Sequence, residues 1–266
     1  MLTINPTGFQ IKTSQNVFTN TSITIDHERA HNQHEHLNQV ISAKTFETVE
    51  LPDIVYVANA GLLLRGLPEK VVLLSNMKYV SRKQETKHIK KILSSMKIRT
   101  FQFPFDEPFE GQGECKWFYG GKLLLLGYGF RSNVRTVVCL QEVLNKIYTS
   151  YNKIPPTVVG VQIINPTYYH LDIAMCEVSD SECIVHKDAI DNLPLLRKIL
   201  KVHVITTSDP FMLNLIPLKD KIVTHKLQTL KDKHFLQKIF QRPVIEIDVS
   251  EFEKSGGSVR CLVLDI

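Results

Sequence analysis

The sequence has no C-x-x-C pair, no run of basic residues and no long apolar stretch. Its five cysteines, Cys115, Cys139, Cys176, Cys183 and Cys261, are odd in number and irregularly spaced. That pattern argues against a disulfide framework and reads as reduced thiols in a cytoplasmic compartment. No segment approaches the ~18 apolar residues of a membrane helix. The best candidate, from Ile54 to Leu64, is broken by Asn59 and Gly61. The first residues, MLTINPTGFQIKTSQNVF, lack a basic segment followed by an apolar one, so no secretory signal is expected. Net charge is +5 and scattered, which gives nucleic acid little to bind. Neither G-x-x-x-x-G-K-[ST] nor a strand followed by G-x-G-x-x-G occurs, and there is no H-E-x-x-H. Glu110-Gly111-Gln112-Gly113-Glu114 sets its glycines between acids, a poor cradle for phosphate.

What is present is an ordinary globular composition. With 266 residues, 43% apolar and 22% charged, the chain is long enough to bury a core without staples. No low-complexity linker divides it, so a single domain over residues 1–266 is expected. Short β-branched and apolar segments read as strands: 54–57, 71–75, 101–105, 122–126, 158–164, 172–178, 202–206, 213–218, 244–248 and 259–264. Helical spacing links Ala30, His34, Leu37 and Ile41. It also links Ile89, Ile92, Leu93 and Met96, and Val137, Leu140, Leu144, Ile147 and Tyr151. Further helices are expected over 188–201 and 226–241, with Asp26 and Asp188 as N-caps. Strands come in twos and threes per helix, which is not the strict alternation of a doubly wound sheet.

Three groups of residues bear on chemistry. His27, His31, His34 and His36 share a helix, but His34 falls on the apolar stripe. They read as a helix surface with one packed histidine, not as a metal site. Cys261 lies in Gly256-Gly257-Ser258-Val259-Arg260-Cys261, where strand alternation puts Val259, Cys261 and Val263 on one face. Alternation likewise puts His170 and Asp172 on one face. A Cys and a His far apart in sequence form a nucleophile–base pair only if the fold brings them together.

Five segments, in this order, resemble the guanidino-group-modifying superfamily, the penteins. They are Leu51-Pro52-Asp53-Ile54-Val55-Tyr56-Val57-Ala58-Asn59-Ala60-Gly61; Phe109-Glu110-Gly111-Gln112-Gly113-Glu114; Tyr169-His170-Leu171-Asp172; Met212-Leu213-Asn214; and the Gly-Gly-Ser-Val-Arg-Cys segment ending at Cys261. They recur at intervals of about 50 residues, as repeated modules would. The resemblance implies a five-bladed α/β propeller with pseudo-fivefold repeats. It implies Cys261 as nucleophile toward a guanidinium carbon, His170 as acid and then base, and Glu110 as the carboxylate orienting His170. Asp172 and Asn59 would grip the guanidinium, a planar fork of N–H donors. Arg82 and Arg131 would hold the substrate's α-carboxylate. Ser255 joins the substrate-binding set, and Asn20 matches an N-terminal asparagine of the family, without its adjoining Pro-Trp.

The implied activity is hydrolysis of the guanidino group of arginine or a close derivative, with no metal and no organic cofactor. Ala58-Asn59 stands where dimethylargininases carry two acids and is similar to the arginine dihydrolases. Asparagine offers both acceptor and donors, so it suits cationic arginine and neutral citrulline alike. The rivals are an amidinotransferase, a dimethylargininase and a non-catalytic binding protein on the same fold.

Overall fold

Asp26 accepts the Arg29 N–H and opens helix α1 (His27–Ile41), as a side chain with capping preference should. The structure, a computed structural model, describes residues 1–47, 50–191 and 193–266. Ala30, His34, Leu37 and Ile41 are buried along one side of α1. The helix connects two parallel strands, β1 (Leu2–Ile4) and β2 (Lys44–Phe46).

The chain then repeats one pattern. Strand β3 (Gly61–Leu63) pairs antiparallel with β4 (Val71–Leu74), helix α2 (Lys83–Ser95) crosses over, and β5 (Arg99–Gln102) returns parallel to β4. The same order holds for β6 (Cys115–Phe118), β7 (Leu123–Tyr128), α3 (Val134–Ser150) and β8 (Thr157–Gln162). A one-turn helix, α4 (Leu171–Ala174), leads into β9 (Met175–Ser179), β10 (Glu182–His186), α5 (Leu193–Ile199) and β11 (Lys201–Ile205). Next come β12 (Ile216–Pro217), β13 (Ile222–His225), α6 (Leu230–Phe240) and β14 (Val244–Ile247), then α7 (Ser250–Glu253). Among the described residues this makes four three-stranded sheets and one two-stranded sheet. Leu2 and Leu264 exchange both backbone hydrogen bonds at 2.9 Å in an antiparallel bridge. The segment after Cys261 therefore lies beside β1 as β3 lies beside β4. The fold is mixed α/β, built from repeated ββαβ units.

Each helix buries its apolar face on a sheet. Leu140, Val143, Leu144 and Ile147 of α3 cluster with Trp117, Leu124 and Leu126. Ile89, Ile92 and Leu93 of α2 cluster with Val72 and Leu74, and with Leu2 and Leu264 from the two ends of the chain. No helix among the described residues is long and apolar enough to cross a membrane.

Several expected elements are corrected. Residues 54–57 and 259–263 are turns, closed by Tyr56 N–H to Asp53 O at 3.0 Å and Cys261 N–H to Ser258 O at 3.1 Å. Their apolar character reflects burial, which turns near a core share with strands. The strand expected over 172–178 begins at Met175, because 171–174 is a helical turn. The segments 101–105 and 213–218 are strand only over Arg99–Gln102 and Ile216–Pro217. Asp188 sits in a turn after β10 and caps nothing, since α5 begins at Leu193. Asn192, within that expected helix, lies outside the described residues.

Candidate active site

The chemically notable residues occupy equivalent places in successive units. Asn59 lies in the 3-10 turn Val57–Ala60 just before β3, and Glu110 precedes the turn Gly111–Glu114 that enters β6. His170 precedes α4 and β9, Asn214 stands two residues before β12, and Cys261 sits in the turn before Leu264. These are turn positions on a rigid scaffold, where side chains are free of ladder pairing. Two glycines allow their close approach. A Cβ on Gly113 would lie 2.5 Å from Asn59 Oδ1, and one on Gly257 would lie 2.2 Å from the Tyr56 ring.

The Cys261 thiol is buried and held on two sides. Asn214 Nδ2 donates to Sγ at 3.3 Å, and Sγ lies 3.5 Å from Asp172 Oδ2 as donor. Asn214 Oδ1 accepts the Arg260 N–H at 2.9 Å, so one side chain fixes both the sulfur and the turn that carries it. Burial first, then the negative charge of Asp172, push the thiol well above its ordinary pKa. Two acceptors here have no partner among the described residues: Asp172 Oδ1 and Asn59 Oδ1, both buried. Buried acceptors left unpaired are costly, and an N–H-rich cation would satisfy both.

His170 forms the second half of the site. Its Nε2 meets Glu110 Oε2 at 2.8 Å, and the same oxygen takes Arg131 Nη1 at 2.9 Å. Glu110 Oε1 accepts the Lys78 N–H at 3.0 Å. Complete burial acts to raise the Glu110 pKa, but Arg131 and His170 outweigh it and hold the group below the usual carboxylate range. A carboxylate so placed favours a proton on Nε2, which leaves Nδ1 as the nitrogen free to exchange one. The Arg131 guanidinium is stacked between the rings of Tyr79 and Tyr169, 4.9 and 4.7 Å from their centroids. Glu114 braces the loop, accepting the Glu110 N–H at 2.8 Å and the Ser132 N–H at 2.8 Å.

Cys261, His170, Asn59, Arg82, Arg131 and Ser255 line one cavity. Asp172 and Glu110 stand behind its wall, in contact with Cys261 and His170. Arg82 is paired bidentately with Glu85 at 2.8 and 2.9 Å. Asn20 is a correction. It is exposed, accepts the Ser22 N–H and does not line the cavity. Asn16 lines it instead, and its Nδ2 donates to Ser255 O at 3.1 Å. The strand alternation expected to put His170 and Asp172 on one face does not occur: His170 precedes a helical turn that carries Asp172, and the two meet the site from different sides, His170 at the cavity and Asp172 at the Cys261 sulfur. Asn214, Asp53 and Gln15 were not foreseen as site residues. For Asn214 the signal was there, since it is the fourth residue of the 50-residue recurrence. Asp53 and Gln15 are joined by a 2.8 Å hydrogen bond across the cavity mouth that nothing in the sequence signals. Among the described residues no group of three or more His, Cys, Asp or Glu is placed to hold a metal ion. His34 is buried on α1, and burial lowers its pKa to about 4.

A mixed α/β chain of repeated units, with a buried thiol and a histidine–carboxylate pair meeting at one cavity, defines a cysteine-centred candidate site. Over residues 1–266 the chain matches the family profile described as N,N dimethylarginine dimethylhydrolase, eukaryotic, and it belongs to that family. This places it within the guanidino-group-modifying superfamily that its motifs resemble. The chain is 29% identical over 256 residues to the bifunctional arginine dihydrolase/ornithine cyclodeaminase ArgZ of Synechocystis, covering 90% of this chain. It spans only 33% of that longer protein. It is 26% identical over 271 residues to the N(G),N(G)-dimethylarginine dimethylaminohydrolase of Mycobacterium tuberculosis, covering 98% of this chain and 83% of the other. A crystal structure of the N-terminal domain of cyanobacterial ArgZ, covalently bound to a reaction intermediate, superposes with a TM-score of 0.86 at 26% identity. The match covers 98% of this chain and 95% of that domain.

Proposed function

We propose that the protein is a cysteine-dependent hydrolase of the guanidino group of arginine or a close derivative, a single catalytic domain folded as a five-bladed α/β propeller. The observation that carries the chemistry is a buried Cys261 thiol in contact with Asp172, in a site where two buried acceptors, Asp172 Oδ1 and Asn59 Oδ1, have no partner among the described residues. The propeller reading is supported by the recurring ββαβ units and by the pairing of Leu264 with β1, which supplies a fifth unit.

Asp172 and Asn59 take N–H groups of the guanidinium, and the cation offsets the charge that holds the thiol protonated. The thiolate then attacks the central carbon and forms a C–S bond. His170 protonates the departing nitrogen as the C–N bond breaks, leaving an amidino-enzyme. Water, deprotonated by His170, attacks the same carbon, and Cys261 leaves as thiolate. Glu110 stabilises the imidazolium at each stage. Arg82, Arg131 and Ser255 are assigned to the substrate's outer end. One round converts arginine and water to citrulline and ammonia. A second converts citrulline and water to ornithine, carbon dioxide and ammonia.

The family match favours a second reading, hydrolysis of dimethylarginine with release of dimethylamine. A product assay with arginine, citrulline and dimethylarginine separates the two. Ammonia with ornithine supports the dihydrolase, ammonia with citrulline alone a deiminase, and dimethylamine the second reading. No product from any of the three overturns hydrolysis.

A further inference from the structure

His225 takes no part in that chemistry, yet it is buried among charges. It ends β13, where its Nδ1 donates to Glu253 Oε1 at 2.6 Å. Its Nε2 lies 3.0 Å from Asp209 Oδ2, an ion-pair contact outside hydrogen-bond geometry. A carboxylate within ion-pair distance of each ring nitrogen favours the imidazolium. Each carboxylate belongs to a segment that holds the thiol. Asp209 starts the turn to Asn214: its Oδ1 accepts the Phe211 N–H at 3.1 Å, and Phe211 O accepts the Asn214 N–H at 2.9 Å. Glu253 Oε1 also accepts the Ser258 hydroxyl at 2.9 Å, and Ser258 O accepts the Cys261 N–H at 3.1 Å.

We infer that His225 is a positioning residue, an imidazolium clamp that locks the Asn214 turn to the Cys261 turn and so sets the thiol against its donor. Asn214 touches the sulfur and Ser258 fixes the backbone of the cysteine, and both lead back to one ring. Without the positive charge, the Asp209 and Glu253 carboxylates would face each other with no cation between them, and the two turns would separate. Burial opposes a charge on His225, but the two carboxylates outweigh it and raise its pKa to about 9, so the clamp is closed at neutral pH. The inference rests on Cys261 being the nucleophile of the proposed reaction.

The test is His225→Gln and Ser258→Ala, each assayed for turnover and for the iodoacetamide alkylation rate of Cys261 at several pH values. Both variants should lower kcat by about tenfold while KM changes less than about threefold. Both should also shift the alkylation profile. The double variant should lose no more than the worse single one, since both cut one chain of contacts. If His225→Gln does not fold, Ser258→Ala carries the test alone, because it removes one hydroxyl. A folded variant with unchanged kcat and unchanged alkylation overturns the clamp. Alkylation reads the thiol itself, so it is informative even where the assignment of substrate fails.

Discussion

The proposed reaction places opposite demands on Cys261 and Asn59, one for a nucleophile that rests protonated and one for an acceptor that tolerates two charge states. Cys261→Ser changes one atom and leaves the bonding partners Asn214 and Asp172 in reach. It should lower turnover by more than about a thousandfold, with the far-UV circular dichroism unchanged. Acid-quenched wild-type enzyme should show an amidino adduct on the peptide bearing Cys261. Because burial and Asp172 raise the thiol pKa, alkylation of the free enzyme should rise steadily above pH 7, and a thiolate already formed at pH 6 contradicts the assignment. At Asn59 the replacement Asn59→Asp adds a carboxylate to the cavity lining. That charge suits arginine but is left uncompensated by neutral citrulline, a mismatch on the order of 1–3 kcal/mol when buried. Citrulline-to-ornithine conversion should fall by about tenfold or more in Asn59→Asp while arginine-to-citrulline conversion persists. Equal loss of both steps would remove the special role of asparagine.

Short turns, more than helices or strands, decide where the reactive groups meet. Gly113 is the sharpest case: a methyl group there would collide with Asn59 Oδ1, an atom of the cavity wall. Gly113→Ala should raise KM severalfold by displacing Asn59, with a thermal midpoint lowered only slightly, and a crystal structure of the variant would show the side chain turned away. The helices were legible because their apolar stripes are long and regular, as on α1, where Asp26 also marks the start. The turns were not. Val259 to Val263 alternates like a strand, yet Ser258 O closes a turn on Cys261, and that bond depends on the Glu253 and Asn214 contacts from distant parts of the chain. Likewise Asn16, not Asn20, reaches Ser255, because the choice rests on the path of the first loop and not on residue type. Cys261, His170, Glu110 and Asp172 were legible only as a set of motifs in order, since each alone is an ordinary buried residue.

At the scale of the molecule, closure and charge act together. Leu2 and Leu264 are fully buried and join the chain's two ends within the core beside α2. Leu264→Ala should cost about 2–5 kcal/mol in chemical denaturation. Activity should fall with it, because Cys261 lies three residues upstream of that bridge. The dependence of stability on pH follows from groups in different units. Glu110 is held below its ordinary value, so its contribution is full at neutral pH and is lost as pH falls through and below the carboxylate range. His34 is lowered by burial to about 4, so its contribution is full above 6.5 and is lost toward acid. His225 moves the other way, from 6.5 to about 9, so its contribution is full below 6.5 and is lost as pH rises through about 9. Glu85, raised by burial to about 7, slopes the same way as His225, as do the buried thiols, whose raised values weaken the fold above about 9. The first part of the alkaline limb, between about pH 7 and 9, is therefore set largely by one ring in the fourth three-stranded unit. Denaturation midpoints measured from pH 5 to pH 10 should fall between about pH 7 and 9 in the wild type and fall less over that window in His225→Gln, while the decline above about 9 remains in both. The acid limb should remain in that variant, because Glu110 and His34 are untouched. If the alkaline limb is the same in both proteins, His225 carries no charge between its two carboxylates, and the clamp on the cysteine turn falls with it.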